Sequence, residues 1–174
     1  MSLSLSSSTR RQWKRVLPTL FCGAQIMLLA VAADAQSTSP LAKLSGTWRG
    51  GGKIMMADGT GENIRCSATY SPESGGRSVS QALVCASDSY KVDIRSFIVA
   101  DGQSVQGHWE ESVRQAQGQL SGQIVGDQLE GTISGPGFEA QLSLVTSGGR
   151  QTILITPAAG GSISRVQIAL SRKG

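Results

Sequence analysis

Apolar and polar residues alternate along most of the chain from 44 to 172, and Gly-rich turns interrupt the alternation every 8–12 residues. A period of two predicts β-strands with one buried face. No stretch of this region has a sustained helical period. The pattern predicts ten strands, at 44–57, 60–70, 77–87, 90–100, 103–113, 116–125, 128–134, 138–146, 150–156 and 162–172.

Several turns also predict which residues face each other. Asp101-Gly102 is typical of a two-residue hairpin turn, because glycine accepts a positive φ. Read in this way, the turn places Ile98 opposite Val105 and Ile94 opposite Trp109. Apolar side chains that meet across strands stabilise a sheet, so these pairings favour the strand assignments.

The two following hairpins give the same kind of prediction. Gly126-Asp127 sets Ile124 against Leu129, and the next Gly-Gly turn brings Leu144 near Ile153. The glycine run at 50–52 lies inside the first predicted strand, where we expect a bend or a bulge.

Short connections make sequential strands antiparallel neighbours. An open sheet of this size would leave two long edges that invite association with other chains. Closure removes those edges, so we predict an all-β fold, an antiparallel up-and-down barrel of about 8–10 strands. A two-sheet β-sandwich is the alternative.

Residues 1–35 are typical of an export signal, because four basic residues precede an apolar run. Ala33-Asp34-Ala35 places small residues at the −3 and −1 positions, so we expect cleavage after Ala35. The chain then divides into a signal peptide at 1–35, a short linker at 36–43 and a barrel domain at 44–174.

The export route stays open. Thr9-Arg10-Arg11-Gln12-Trp13-Lys14 resembles the twin-arginine export motif, and an ordinary basic segment of the general secretory route is the alternative. Either route implies a bacterial protein that is periplasmic or secreted. Pro18, Gly23 and Gln25 interrupt the apolar run. We therefore expect no stable transmembrane segment after cleavage, with an uncleaved N-terminal anchor as the alternative.

Two cysteines, Cys66 and Cys85, remain once the leader is removed. An even number of cysteines in an exported chain predicts a disulfide. The turn cluster at 71–76 lies midway between the two, so a hairpin brings them nearly opposite each other. A redox-active pair is the alternative, but CxxC spacing is missing.

Charge and composition exclude several function classes. The net charge is +4, but removing residues 1–35 takes away four basic residues and one acidic residue, leaving 12 and 11. This balance gives no basic footprint for nucleic acid. The single histidine excludes any site that needs two imidazoles. We expect no metal, no cofactor and no nucleic-acid partner.

Gly46-Thr47-Trp48, at the opening of the first strand, resembles the opening of the calycin barrels, which include lipocalins, fatty-acid-binding proteins and avidins. In lipocalins this tryptophan packs at the closed end, beneath a basic residue near the end of the last strand. The resemblance implies that Trp48 and Arg172, or less well Arg165, form such a barrel-closing pair. We expect no C-terminal helix of the kind usual in lipocalins, because the last predicted strand runs to residue 172, and the resemblance transfers no ligand-binding residue.

A polar patch centres on the one histidine. The predicted register sets His108 opposite Arg95 and Asp93 opposite Glu110. A titratable site with His108 as acid or base is one interpretation, and it requires the patch to face the lumen and Trp109 to face outward. A solvated strand face is the other interpretation, and burial of a large aromatic ring favours it.

No motif specifies a reaction, so we predict no catalytic residue and a non-catalytic exported barrel that binds a small apolar ligand or an envelope partner. A structural or inhibitor-like interaction barrel with a filled core is one alternative. An outer-membrane barrel is another, although six aromatic residues after position 35 are too few for two interfacial girdles. The remaining alternative is an enzyme whose acid or base is His108.

Overall fold

The computed structural model describes residues 39–174, which form a closed antiparallel barrel of ten strands. The leader and its cleavage site at 1–35 lie outside the described residues. The strands are β1 (Gly46–Met56), β2 (Gly61–Glu73), β3 (Ser78–Ala86), β4 (Lys91–Asp101), β5 (Ser104–Glu111), β6 (Ala116–Val125), β7 (Gln128–Gly135), β8 (Phe138–Ser147), β9 (Arg150–Pro157) and β10 (Ile163–Arg172).

Each strand pairs with the next along the chain, and β1 pairs with β10 to close the barrel. This last pairing runs from Trp48 opposite Arg172 to Met56 opposite Ile163. Every strand thus has two neighbours, and no open edge remains within 39–174. The predicted up-and-down barrel is confirmed, and the sandwich alternative is wrong.

Inward-facing side chains form one continuous apolar core, because alternate residues of each strand point into the barrel. Outward neighbours such as Arg49, Lys53 and Arg65 are exposed. The core includes Trp48, Ile54, Ile64, Ala68, Val79, Leu83, Ile98, Val105, Leu120, Ile124, Leu129, Leu144, Ile153, Ile168 and Leu170.

One end of the barrel, which we call the base, is covered by the segment before β1. This segment contains a 3-10 turn, Ala42–Leu44, and it buries Leu41 completely. The Lys43 ammonium donates to the carbonyl of Gly126 and lies 3.1 Å from a carboxylate oxygen of Asp127. Residues 39–43, assigned to a linker from sequence, therefore pack on the barrel.

The glycines of β1 allow the backbone of β10 to approach closely, and they do not form a bulge. A Cβ on Gly50 would lie 2.0 Å from the carbonyl oxygen of Ala169, and one on Gly52 would lie 2.2 Å from that of Gln167. Pairing with β2 and β10 continues without interruption through these residues. The expected irregularity is instead a register shift between β1 and β10 at Met55 and Met56.

Two of the three predicted hairpin registers are confirmed. Ile124 pairs with Leu129 across β6 and β7, and Leu144 pairs with Ile153 across β8 and β9. Both pairs are buried. The two turns hold glycines with positive φ at the positions that tight hairpins require.

The register across Asp101-Gly102 is wrong by two residues. Asp101 pairs with Ser104, so the loop consists of Gly102 and Gln103, and Ala100 is the residue that faces Val105. Gly102 has a φ of 57° and stands first in the loop. Type II′ turns reserve that position for glycine, whereas the prediction placed Gly102 second.

Cys66 and Cys85 form a disulfide between β2 and β3, as the hairpin spacing predicts. They are directly paired in the register, and their Cα atoms lie 4.1 Å apart. Both face the interior and are buried. The bond therefore joins neighbouring strands on the inner side of the wall.

Candidate functional site

The base is sealed around Trp48, which has no exposed surface. Its indole nitrogen donates to the carbonyl of Leu44 at 2.8 Å. The guanidinium of Arg172 lies over the ring, 4.6 Å from its centre, and also donates to the carbonyl of Lys43. The structure thus brings Trp48 and Arg172 together, whereas Arg165 lies near the start of β10, at the other end of the barrel.

A buried polar network lies beside this tryptophan. The Tyr70 hydroxyl donates to the side-chain oxygen of Gln151 at 3.1 Å. The same hydroxyl accepts a hydrogen bond from the side-chain amide of Gln81 at 3.2 Å. Gln151 in turn donates to Thr146 at 3.2 Å. Burial raises the pKa of Tyr70 to about 12, against the lowering effect of its two amide partners. The sequence analysis missed this network, although its members occupy inward positions of their strands.

The opposite end, which we call the mouth, has a different character. Its inward apolar side chains are only half-buried, in contrast to the fully buried Leu41 and Trp48 at the base. Five turns surround it, at 57–60, 87–90, 112–115, 136–137 and 158–162. The half-buried apolar side chains that reach it are Met56, Tyr90, Ile94, Ile133, Leu142, Ile155, Ile163 and Val166.

Trp109 lies against the inner wall at the mouth. Two glycines on the next strands make room for it, since a Cβ on Gly118 would lie 2.7 Å, and one on Gly135 3.1 Å, from the indole ring. The ring of Phe138 meets the indole edge-on, with ring centres 6.3 Å apart. The indole nitrogen of Trp109 is buried and has no hydrogen-bond partner.

Part of the mouth is covered by Tyr90, from the turn between β3 and β4. Its hydroxyl lies 3.9 Å from the sulfur of Met56. The guanidinium of Arg114, from the turn between β5 and β6, lies 6.0 Å from the centre of the Tyr90 ring. Side chains from two strand connections and from the end of β1 thus approach one another on this side of the mouth.

Glu111 holds the turn that follows β5. Its carboxylate is buried and accepts backbone N–H groups of Asp93 at 3.1 Å, Val113 at 3.0 Å and Arg114 at 2.8 Å. Burial alone would raise the pKa of this carboxyl, but the three donors and the charge of Arg114 together lower it. Glu111 is therefore a structural anion at the mouth.

The predicted polar patch lies on the outer wall and not in the lumen. His108 pairs with Phe97, and Arg95 pairs with Glu110, so the register expected for these residues is wrong. Arg95 lies 3.9 Å from Asp93 on its own strand. Trp109 faces the interior, which excludes a lumenal acid–base site at His108.

This patch lines a concave surface on β2 to β5, which we call the outer groove. Its volume is about 430 Å³. Phe97 and His108 form its floor, with ring centres 5.8 Å apart and planes inclined by 36°. A second concavity, of about 500 Å³, lies over β5 to β8 and is lined mainly by uncharged polar groups such as Gln106, Gln123 and Gln141.

Two further features bear on possible chemistry. Within residues 39–174, no group of three or more histidine, cysteine, aspartate or glutamate side chains is arranged to hold a metal ion. In the same part of the chain, no helix is both long and apolar enough to span a membrane.

Comparison with known proteins bears on the fold. No family model and no curated protein sequence matches this chain. Rv2717c from M. tuberculosis is similar in structure, with a TM-score of 0.63 and 12% identity over 77% of this chain and 95% of that chain. The S-type phycobiliprotein lyase CPES from Guillardia theta is also similar, with a TM-score of 0.54 and 8% identity over 77% of this chain and 90% of that chain. At these identities the likeness bears on the fold alone, and it agrees with the closed antiparallel barrel described above.

Proposed function

We propose that this protein is an exported, non-catalytic barrel that binds a small apolar ligand at its mouth. The observation that carries the proposal is the contrast between the two ends. The base is sealed by Leu41, Leu44 and Trp48, all buried, whereas the mouth presents half-buried apolar side chains. Binding sites in small barrels are commonly built at such mouths.

The ligand class follows from what lines the mouth. The inward side chains there are mostly aliphatic, and the carboxylate of Glu111 is already occupied by three backbone donors and the guanidinium of Arg114. Burial of apolar ligand surface is therefore the main source of affinity. Calycin-like neighbours, one of them a phycobiliprotein lyase, support a ligand-binding role.

Export is part of the proposal. The disulfide between Cys66 and Cys85 supports an oxidising compartment, in which such bonds persist. The wall supports a water-exposed barrel, because its inner face is apolar and its outer face carries the charges. An outer-membrane barrel requires the reverse arrangement.

A thermal-shift titration with butylbenzene tests ligand binding. A ligand that binds the folded state raises the melting temperature with concentration, so we expect a saturable increase for the wild type. Leu142→Ser, at the mouth, should remove most of the increase. Val145→Ser, on the outer face of the same strand, is the control and should keep it. No increase with butylbenzene or larger alkylbenzenes would contradict the proposal.

The outer groove favours a second candidate function, an interaction barrel for an envelope protein. Phe97 is half-buried there, next to the paired opposite charges of Arg95 and Glu110. Interface centres commonly combine an aromatic side chain with arginine. Phe97→Ser would abolish capture of such a partner and leave the butylbenzene titration unchanged. Leu142→Ser would leave capture unchanged and remove the thermal shift with butylbenzene.

A further inference from the structure

We propose that the indole N–H of Trp109 is the polar anchor of the ligand, which therefore carries a hydrogen-bond acceptor on an apolar body. The inference rests on the proposed function, since it names the chemistry of a ligand at the mouth. Its starting point is one atom. Trp109 Nε1 is the one buried side-chain nitrogen or oxygen in 39–174 that lacks a hydrogen-bond partner.

Such an atom is unusual, because buried tryptophan N–H groups usually find an acceptor. The rest of this interior follows the rule. Trp48 donates to a carbonyl at the base, and Tyr70, Gln151 and Thr146 satisfy one another. The exception therefore lies at the mouth, where a ligand can supply the missing acceptor.

The neighbouring strands leave room for the indole against the wall. Gly118 and Gly135 carry no side chains, and a Cβ on either would press on the ring. A larger residue at these positions would displace the indole from the wall. The two glycines thus leave room for the ring against the wall, Phe138 packs on it, and its N–H stays unpaired, which is the arrangement of a preorganised donor.

On this proposal the ligand reaches the donor by displacing Phe138, the aromatic side chain that packs against the indole. Phe138 packs edge-on against the indole and is 41% exposed at the rim. It follows a two-residue turn, Pro136-Gly137, between β7 and β8. An incoming ligand can displace Phe138 outward and bring its acceptor to the indole nitrogen.

The acceptor is neutral or only partly charged. The indole N–H is a single donor, and the guanidinium of Arg114, at the mouth, already serves Glu111 and the carbonyl of Lys91. A full carboxylate at the indole would be desolvated without a cation. Ketones, esters, ethers and lactams attached to an alkyl or aryl body fit these conditions.

Butyrophenone and butylbenzene test the inference as matched probes, because they differ by one carbonyl oxygen. In the ¹H–¹⁵N spectrum of the wild-type protein, butyrophenone should move the Trp109 indole N–H signal downfield, and butylbenzene should not. The Trp48 indole is the internal control, since its donor is already used. Equal indole shifts with both probes would overturn the inference.

The dissociation constants of both probes complete the test. The ratio of the butylbenzene constant to the butyrophenone constant should fall about tenfold in Trp109→Phe, which removes the donor. Val145→Ser, on the outer wall, is the control and should leave the ratio unchanged. If both probes bind with the same ratio in all three proteins, the mouth site stands and the role of Trp109 is refuted. If neither probe binds the wild type, the proposed function fails, and the inference with it.

Discussion

Arg172, the last residue of β10, covers the ring of Trp48, near the start of β1, at 4.6 Å from its centre. The contact joins the two ends of the folded chain at the base. It combines a cation–π interaction with a hydrogen bond from the guanidinium to the carbonyl of Lys43. The base is therefore held by the first and last strands together.

Arg172→Ala should lower the free energy of unfolding by about 1–2 kcal/mol, because both interactions are lost. Arg165→Ala is the matched control, since Arg165 is an exposed residue on the same strand, and it should change stability by less than about 0.5 kcal/mol. Urea denaturation measures both. Equal effects of the two substitutions would contradict the role given to Arg172.

The disulfide should stabilise the barrel by restricting the unfolded chain. Its cysteines are separated by 19 positions. In the chain-entropy model, replacing both by alanine costs about 3 kcal/mol. The reduced wild type should unfold at nearly the same urea concentration as the double variant, and the oxidised wild type at a higher one. Coincident transitions for oxidised and reduced protein would refute this.

Stability should fall at alkaline pH because of Tyr70. Burial raises its folded pKa from 10 to about 12, so the folded state holds the proton more tightly. The contribution is complete below pH 10 and is lost as pH rises from about 10 to 12, a loss of about 3 kcal/mol. Tyr70→Phe should show a smaller loss over this range in urea denaturation. Parallel profiles for the two proteins would contradict the assignment.

Glu111 should contribute stability that disappears in acid. Its folded pKa lies below the ordinary 4.5, because three backbone donors and Arg114 outweigh the effect of burial. The contribution is present above pH 4.5 and is lost as pH falls through the folded pKa. Glu111→Gln should cost about 1–3 kcal/mol at neutral pH and less in acid. Glu110→Gln, on the exposed outer face, is the control and should have little effect at either pH.

Much of the fold could be predicted because each strand repeats one simple rule. An apolar inward row and glycine turns are enough to locate all ten strands to within a few residues. The disulfide pairing follows from the position of one turn. The register at Gly102 could not be settled in this way, because glycine suits either loop position and the two choices differ by two residues.

The site was harder to predict because it depends on contacts between distant strands. The sequence identifies Trp48 and Arg172 through a family resemblance, but it does not reveal that Trp109 rests on Gly118 and Gly135. Predicting that contact would require the correct registers of β5, β6 and β7 at the same time. The buried carboxylate of Glu111 was missed for a similar reason, since its donors come from a loop and from β4.

Methyl NMR spectra recorded during a butylbenzene titration test the central claim that the two ends of the barrel differ in function. We expect shifts in the methyl groups of Ile133, Leu142 and Ile155 at the mouth, and constant signals from Leu41 and Leu44 at the base. Shifts confined to the base or to the outer wall, or a spectrum that does not change, would contradict the account.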